Sequence, residues 1–321
     1  MHAIGVDIGG TKIAVGVVDD EGAIVETIRR PTQPEHAESI DAAIADAVHE
    51  LGQRYEFHHI GLAAAGFVSS DRRRVLFAPN IAWREYDLAS KVEALIGRDD
   101  VSVVVENDAN AAGWGEFRYG AGRDVRDMVM LTIGTGLGAA IIVEGQLVRG
   151  AYGFAAELGH VRVQPGGHPC GCGHRGCWEQ YASGSALVRE ARRAAAERTV
   201  RAAGLIERAG GDPAAIIGPH VTAAAAEGDE LGIELLAELG SWIGAGAASL
   251  AAVLDPESYV VGGGVIGAGE MLLAPARAAY AEHLPARGHR PVAPIIAAAM
   301  GNDAGIVGAA ALAREAAGVR D

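Results

Sequence analysis

Asp7-Ile8-Gly9-Gly10-Thr11-Lys12 lies between two short β-branched runs, residues 2–6 and 13–18. Ile133-Gly134-Thr135-Gly136-Leu137-Gly138 lies in the same way between residues 128–132 and 139–143. A glycine-containing connection between such runs reads as a hairpin. At an offset of 125 residues, Ile8-Gly9 falls on Ile133-Gly134 and Asp19 falls on Glu144. An ordered internal repeat of this kind predicts two similar halves in place of one continuous sheet.

Residues 40–53 carry apolar side chains at helical spacing (Ile40, Ala43, Ile44, Ala47, Val48, Leu51) and read as an amphipathic helix. Residues 60–65 and 101–105 read as short buried strands, and 87–96 and 109–117 as helices. Beyond residue 180 the chain turns helical, over 184–198, around 200–209 and over 229–254. Residues 259–261 form a strand that runs into Gly262-Gly263-Gly264, and a helix follows over 271–283. A last strand is expected over 291–300, with Asn302 or Asp303 as N-cap of a final helix over 304–317. Strands and helices alternate, which places the chain in the α/β class.

The 321 residues suit one large or two medium domains, and half of them are apolar. A formal charge of −14 with no basic run disfavours nucleic acid and anionic membranes as partners. The longest uncharged stretches, 128–143 and 239–254, fall short of a bilayer span. The start MHAIGVDIGG has no basic, apolar and cleavage regions in series, so a cytoplasmic protein is expected. All three cysteines lie between 170 and 177, which does not fit a disulfide framework.

Both repeated turns have phosphate chemistry. The spacing of Asp7 to Lys12 is not that of a Walker A loop. Gly9 and Gly10 still let backbone N–H groups approach an anion, Thr11 adds a hydroxyl donor and Lys12 a point charge. Lys12 and Lys91 are the only lysines in the chain. Asp7 is an oxygen ligand of the kind Mg²⁺ takes. Thr132, Gly134, Thr135 and Gly136 offer the same donors in the second turn, and Gly262-Gly263-Gly264 makes a third turn after a strand. Each turn alone reads equally as ordinary turn chemistry. Three of them point to a nucleotide.

Asn107-Asp108 stands at the end of an apolar strand and the start of a helix, where ligands collect in α/β proteins. Asp108 is either a helix N-cap or a general base for a hydroxyl that Asn107 orients. Cys170, Cys172 and Cys177 match a closed Cys₃His zinc site, with His160, His168 and His174 competing for the fourth place. A full ligand set makes that metal structural. Glu157 and Glu179 flank the cluster.

Taken together, Asp7-x-Gly-Gly-Thr-Lys12, Glu-Asn107-Asp108-Ala-Asn, Gly134-Thr-Gly136, Glu157-Leu-Gly-His160 and Cys170-Gly-Cys172-Gly-x-x-Gly-Cys177-x-Glu179 resemble the ROK family of sugar kinases and repressors. Within it the chain is most similar to the bacterial ATP-dependent glucokinases, over essentially its whole length. The resemblance implies a two-lobed, duplicated fold related to actin, hexokinase and ribonuclease H, with sugar and nucleotide in the cleft between lobes. The lobes are expected at 1–116 plus 303–321 and at 117–302. Position by position, it implies Asp108 as general base toward the 6-hydroxyl of glucose. It gives sugar contacts to Gly66, Asn107, Asp108, Glu157, His160 and Glu179, and makes His160 the fourth zinc ligand. It implies phosphate binding by the turns 7–12 and 132–138 and an adenosine-side turn at Gly262–Gly264, with Asp7 near Mg²⁺.

ATP, Mg²⁺ and structural Zn²⁺ are the cofactors implied, and a homodimer or homotetramer the assembly. Family members usually carry a Pro where this chain has Ala65 before Gly66. Another hexose or an N-acetyl sugar as acceptor, or polyphosphate as donor, are the alternatives within the class. A sugar-responsive repressor needs an N-terminal helix-turn-helix, and the first phosphate turn at Asp7 leaves no room for one.

Overall fold

Strand β1 (His2–Ile8) turns at Gly9–Thr11 into β2 (Lys12–Val18), and β2 turns again into β3 (Ile24–Pro31), all antiparallel. The second turn is held by Asp19, whose carboxylate accepts from the N–H groups of Glu21 and Ala23. Helix α1 (Ala37–Gly52) buries Ile40, Ile44, Val48 and Leu51 and carries the chain to β4 (Phe57–Ala64), which lies parallel to β1 with Val6 opposite Leu62. A small antiparallel sheet of β5 (Phe67–Val68), β6 (Val75–Phe77) and β7 (Arg84–Tyr86) follows. Helix α2 (Leu88–Ile96) starts on an Asp87 cap and stops at Gly97 in the left-handed region, φ +64°. Strand β8 (Ser102–Asn107) then pairs parallel to β4 and runs straight into α3 (Asp108–Tyr119). The sheet order is β3-β2-β1-β4-β8.

The pattern then begins again. Strand β9 (Met128–Ile133) turns at 134–136 into β10 (Leu137–Val143), and β11 (Gln146–Leu147) returns on it. The bounds of β10 are those of β2 moved by the 125-residue offset. Helices α4 (Gly184–Ala196), α5 (Ala203–Arg208), α6 (Gly218–Ala226) and α7 (Glu230–Ala251) intervene before β12 (Ser258–Gly262), which is parallel to β9. Helix α8 (Glu270–His283) leads to β13 (Ile295–Ala297), parallel to β12, and α9 (Ala304–Ala316) ends the chain's regular structure. The second sheet has the order β11-β10-β9-β12-β13. Hairpin, parallel crossover, parallel crossover is the plan of both sheets, an α/β fold of the actin and hexokinase kind.

This computed structural model describes residues 2–197 and 200–318. It packs as two compact units, described residues 2–125, 140–156 and 299–318 in one and 126–139 and 157–298 in the other. The boundary expected at 116/117 falls inside α3, and residues 140–156 belong with the first unit.

The first unit is closed by α9, which arrives from the far end of the chain. It lies on β1 and β4 at backbone distance, because Gly5 and Gly61 have no side chain there. A Cβ on Gly5 would sit 1.9 Å from the Ile306 carbonyl oxygen, and one on Gly61 1.8 Å from that of Ala309. The buried Glu116 of α3 fastens the arriving segment. Its carboxylate accepts from the N–H groups of Ala299 and Met300, at 3.0 and 2.7 Å, and of Ala121 at 2.8 Å.

Several elements differ from the sequence expectation. The last strand covers only Ile295–Ala297, since Pro291 and Pro294 supply no N–H to a ladder. Asp303 precedes α9 in helical geometry, at the end of a 3-10 turn, and makes no side-chain cap. Helix α6 and strand β3 were not expected. Arg198, expected in a helix over 184–198, lies outside the described residues.

Candidate active site

The turn after β1 is rigid on one side and open on the other. Gly9 N–H donates to the Lys12 carbonyl at 3.0 Å. Thr32 closes the back, its hydroxyl on the Gly9 carbonyl (2.8 Å) and its N–H on that of Thr11 (3.1 Å). Gly10, Thr11 and Lys12 face solvent. Asp7, one residue before the strand's end, is partly buried. Burial raises its carboxyl above the ordinary range, and the Lys12 ammonium partly opposes this. A partly desolvated carboxylate beside an exposed lysine and open backbone suits a hydrated cation next to phosphate.

Asn107 and Asp108 occupy the junction of β8 and α3, and they divide its work. Asn107 is the N-cap, its side-chain oxygen accepting from Asn110 N–H at 3.0 Å. Its amide nitrogen donates to the Gly66 carbonyl at 3.2 Å, which ties the loop after β4 to the helix start. Asp108 is therefore not the cap. It stands at the first helical position, with Oδ1 accepting from Ala109 N–H at 2.9 Å.

Behind this pair lies a group that the sequence reading missed. Glu106 is buried, and both its oxygens are used. Oε2 meets Arg149 Nε at 2.7 Å and Arg72 Nε at 3.4 Å. Oε1 accepts from Asn107 N–H and Asn110 Nδ2, each at 3.2 Å. A charged residue at the inner end of an apolar strand was the one available signal. Its partners could not be read from sequence.

In the second unit the 134–136 turn is closed by Gly134 N–H donating to the Gly136 carbonyl at 3.0 Å. The start of α4 abuts it: Gly184 N–H donates to the Gly134 carbonyl at 2.8 Å and Ser185 N–H to that of Thr135 at 3.3 Å. The Thr132 hydroxyl at the end of β9 is buried with no hydrogen-bond partner among the described residues, an orphan that a ligand oxygen would satisfy. A cleft of about 1070 Å³ opens here, walled by Gly134, Thr135, Ser185, Arg192, Pro219 and Gly264. Its mostly apolar lining and small residues suit a flat base. Gly264 is where the sequence placed the adenosine-side turn. The contributions of α4 and α6 to the same cleft were not legible.

The cysteine cluster assembles as its spacing implied. His160, Cys170, Cys172 and Cys177 bring one donor atom each within 4.8 Å of all the others. Cys172 and Cys177 sulfurs are 3.6 Å apart, and Cys170 Sγ is 3.7 Å from His160 Nδ1. A tetrahedral zinc with ordinary Zn–S and Zn–N bonds spaces its ligand atoms by roughly 3.5–3.8 Å, so the four residues fit that ion. Burial, with the neighbouring thiols, pushes Cys177 up to about 12, so a cation must displace protons to bind. His168 and His174 are outside the cluster. His168 instead stacks obliquely on Tyr181, with ring centroids 5.3 Å apart.

Glu157 and Glu179 stand beside the cluster as expected. Burial raises the Glu157 carboxyl, His160 opposes the rise and Glu179 adds to it. Glu179 Oε2 accepts from Leu137 N–H at 3.3 Å, and Oε1 is 3.8 Å from Cys170 Sγ. The structure thus joins Gly66, Asn107 and Asp108 in one unit. In the other it joins the 134–136 turn, Glu179, His160 and the cysteines.

The ROK family model matches residues 3–316. The chain is 50% identical over 312 residues to a glucokinase of Streptomyces coelicolor, covering 97% of each. The crystal structure of a ROK family glucokinase from Streptomyces griseus, in complex with glucose and AMPPNP, superposes with a TM-score of 0.88 at 49% identity, over 98% of this chain and 100% of that one. A ROK hexokinase from Thermus thermophilus superposes at 0.80 with 32% identity, over 99% of each. Its sequence motifs, its duplicated sheets and these matches over nearly the full length make the chain a member of the ROK family.

Proposed function

We propose that this protein is an ATP-dependent glucokinase, which transfers the γ-phosphoryl group of ATP to the 6-hydroxyl of glucose. The observation that carries the reading is the Asn107–Asp108 junction, in a chain half identical to a glucokinase from end to end. Asn107 caps α3 and holds Gly66 through its side-chain amide, so its neighbour's carboxylate is presented from a fixed backbone. Asp108 takes the hydroxyl proton as the oxygen attacks phosphorus. Gly66, Asn107, Glu157, His160 and Glu179 are assigned to the sugar hydroxyls.

Gly9, Gly10, Thr11 and Lys12, with Thr132, Gly134, Thr135 and Gly136, are assigned to the phosphates, and Gly262–Gly264 to the adenosine. Phosphoryl transfer asks for positioning and charge neutralisation more than covalent chemistry, and these groups supply both. Asp7 would hold Mg²⁺, which neutralises phosphate charge when bound. His160, Cys170, Cys172 and Cys177 would hold a structural zinc that fixes the imidazole of His160 toward the sugar.

A coupled assay with ATP and Mg²⁺ across glucose, mannose, fructose and N-acetyl sugars tests the reading, with polyphosphate as a second donor. Glucose is expected to have the highest kcat/KM, and absence of hexose phosphorylation would refute it. A cytoplasmic location and a homodimer or homotetramer belong to the same proposal. Among the described residues no helix is long and apolar enough to cross a membrane. Light scattering reads the assembly.

A further inference from the structure

Glu179 enters the reading above as a sugar residue, yet its carboxylate is also built into the turn assigned to the phosphates. Oε2 accepts from the N–H of Leu137, the residue that ends the turn. The same oxygen fills the place of a side chain on Gly136, where a Cβ would come within 2.2 Å of it. The segment continues from Glu179 into α4, whose first two N–H groups hold the carbonyls of Gly134 and Thr135. The turn is thereby gripped at both ends by seven consecutive residues, 179–185.

We propose that Glu179 is a positioning residue for the nucleotide: it sets the conformation of the 134–137 turn and so tunes ATP affinity, independently of any contact it makes to sugar. A carboxylate–amide hydrogen bond of this kind orders a backbone that glycine leaves loose. Glycine at 136 is required because any larger residue would evict the carboxylate. The proposal rests on the assignment of this turn to ATP phosphates.

The test is AMPPNP·Mg²⁺ binding by calorimetry without sugar, so that sugar contacts do not enter. Glu179→Ala is expected to weaken binding at least about tenfold, the low end of a lost hydrogen bond to a charged group. Glu179→Gln, whose carbonyl can still accept from Leu137, is expected to stay within about fivefold of wild type, since only the charge of that bond changes. Gly136→Ala is expected to weaken binding like Glu179→Ala, and the double variant no more than either alone, because the two changes remove one contact.

Wild-type affinity in Glu179→Ala, or effects of the two substitutions that multiply, would overturn the proposal. Should Glu179→Ala fail to fold, Gly136→Ala and Glu179→Gln carry the test, and wild-type affinity in Gly136→Ala or a loss beyond about tenfold in Glu179→Gln would overturn the proposal. Wild-type protein that binds AMPPNP but phosphorylates no hexose would sink the glucokinase reading alone. Wild-type protein that binds no AMPPNP would sink both.

Discussion

An aspartate placed directly after a helix cap has its main chain fixed before any ligand arrives. For that reason Asp108→Ala is expected to lower kcat by about 10²–10⁴-fold, the range of general base catalysis. Its thermal unfolding should change little, and near-normal turnover would remove it as the base. Glu106 has the opposite profile. Glu106→Gln leaves two guanidinium groups beside a buried neutral side chain and is expected to cost about 3 kcal/mol in urea unfolding.

Asp7 gives a pH signature. Burial raises its folded-state pKa above the ordinary 3.8. The native state then holds a proton that the unfolded chain releases, so stability falls as pH rises from 3.8 through the raised value. Asp7→Asn is expected to abolish that decline and to raise the urea midpoint at neutral pH while activity drops. A midpoint at or below wild type would contradict the assignment. At this scale the sequence shows which residues are chemically able. It does not show how they share the work. Asp108 read as a cap or a base, whereas the cap is Asn107, and Glu106 meets Arg149 across 43 positions of chain.

Among the elements, the hairpins were legible because two glycine-containing turns sit between β-branched runs. That information is local. Helix α6 was not, since Gly210, Gly211, Pro213 and Pro219 surround its start with loop chemistry, and it is packing against α7, α4 and α5 that makes the helix worthwhile. Strand β13 was overread because apolar residues between prolines have strand composition without strand hydrogen bonds. The contact of α9 with β1 and β4 is likewise tertiary, although Gly5 and Gly61 hinted that something comes close. Gly61→Ala forces a Cβ onto a helix carbonyl and is expected to destabilise by about 2–3 kcal/mol, as overpacking does. Urea titration checks it, and a change below the experimental error would mean that α9 is more loosely seated than described.

For the whole molecule, the 125-residue repeat foretold the duplicated plan. It did not foretell that residues 140–156 pack with the first unit, since a repeat records descent and not which surfaces meet. The Cys₃His cluster was readable in full apart from the choice of histidine, because cysteine spacing reports which sulfurs can converge on one ion. Cys172→Ser is expected to bring bound zinc below one equivalent per chain by atomic spectroscopy and to lower the unfolding temperature. Full zinc with full activity would show that the ion is held elsewhere.

The late arrival of α9 sets an order on biosynthesis. A nascent chain that has left the ribosome as far as α3 carries all five strands of the first sheet with one greasy flank bare, and it must wait for some two hundred further residues before its cover is made. Until α9 emerges, that flank is a target for chaperones, and a premature stop just upstream of Ala304 should yield insoluble product although the cleft beside the 134–136 turn is already encoded in full.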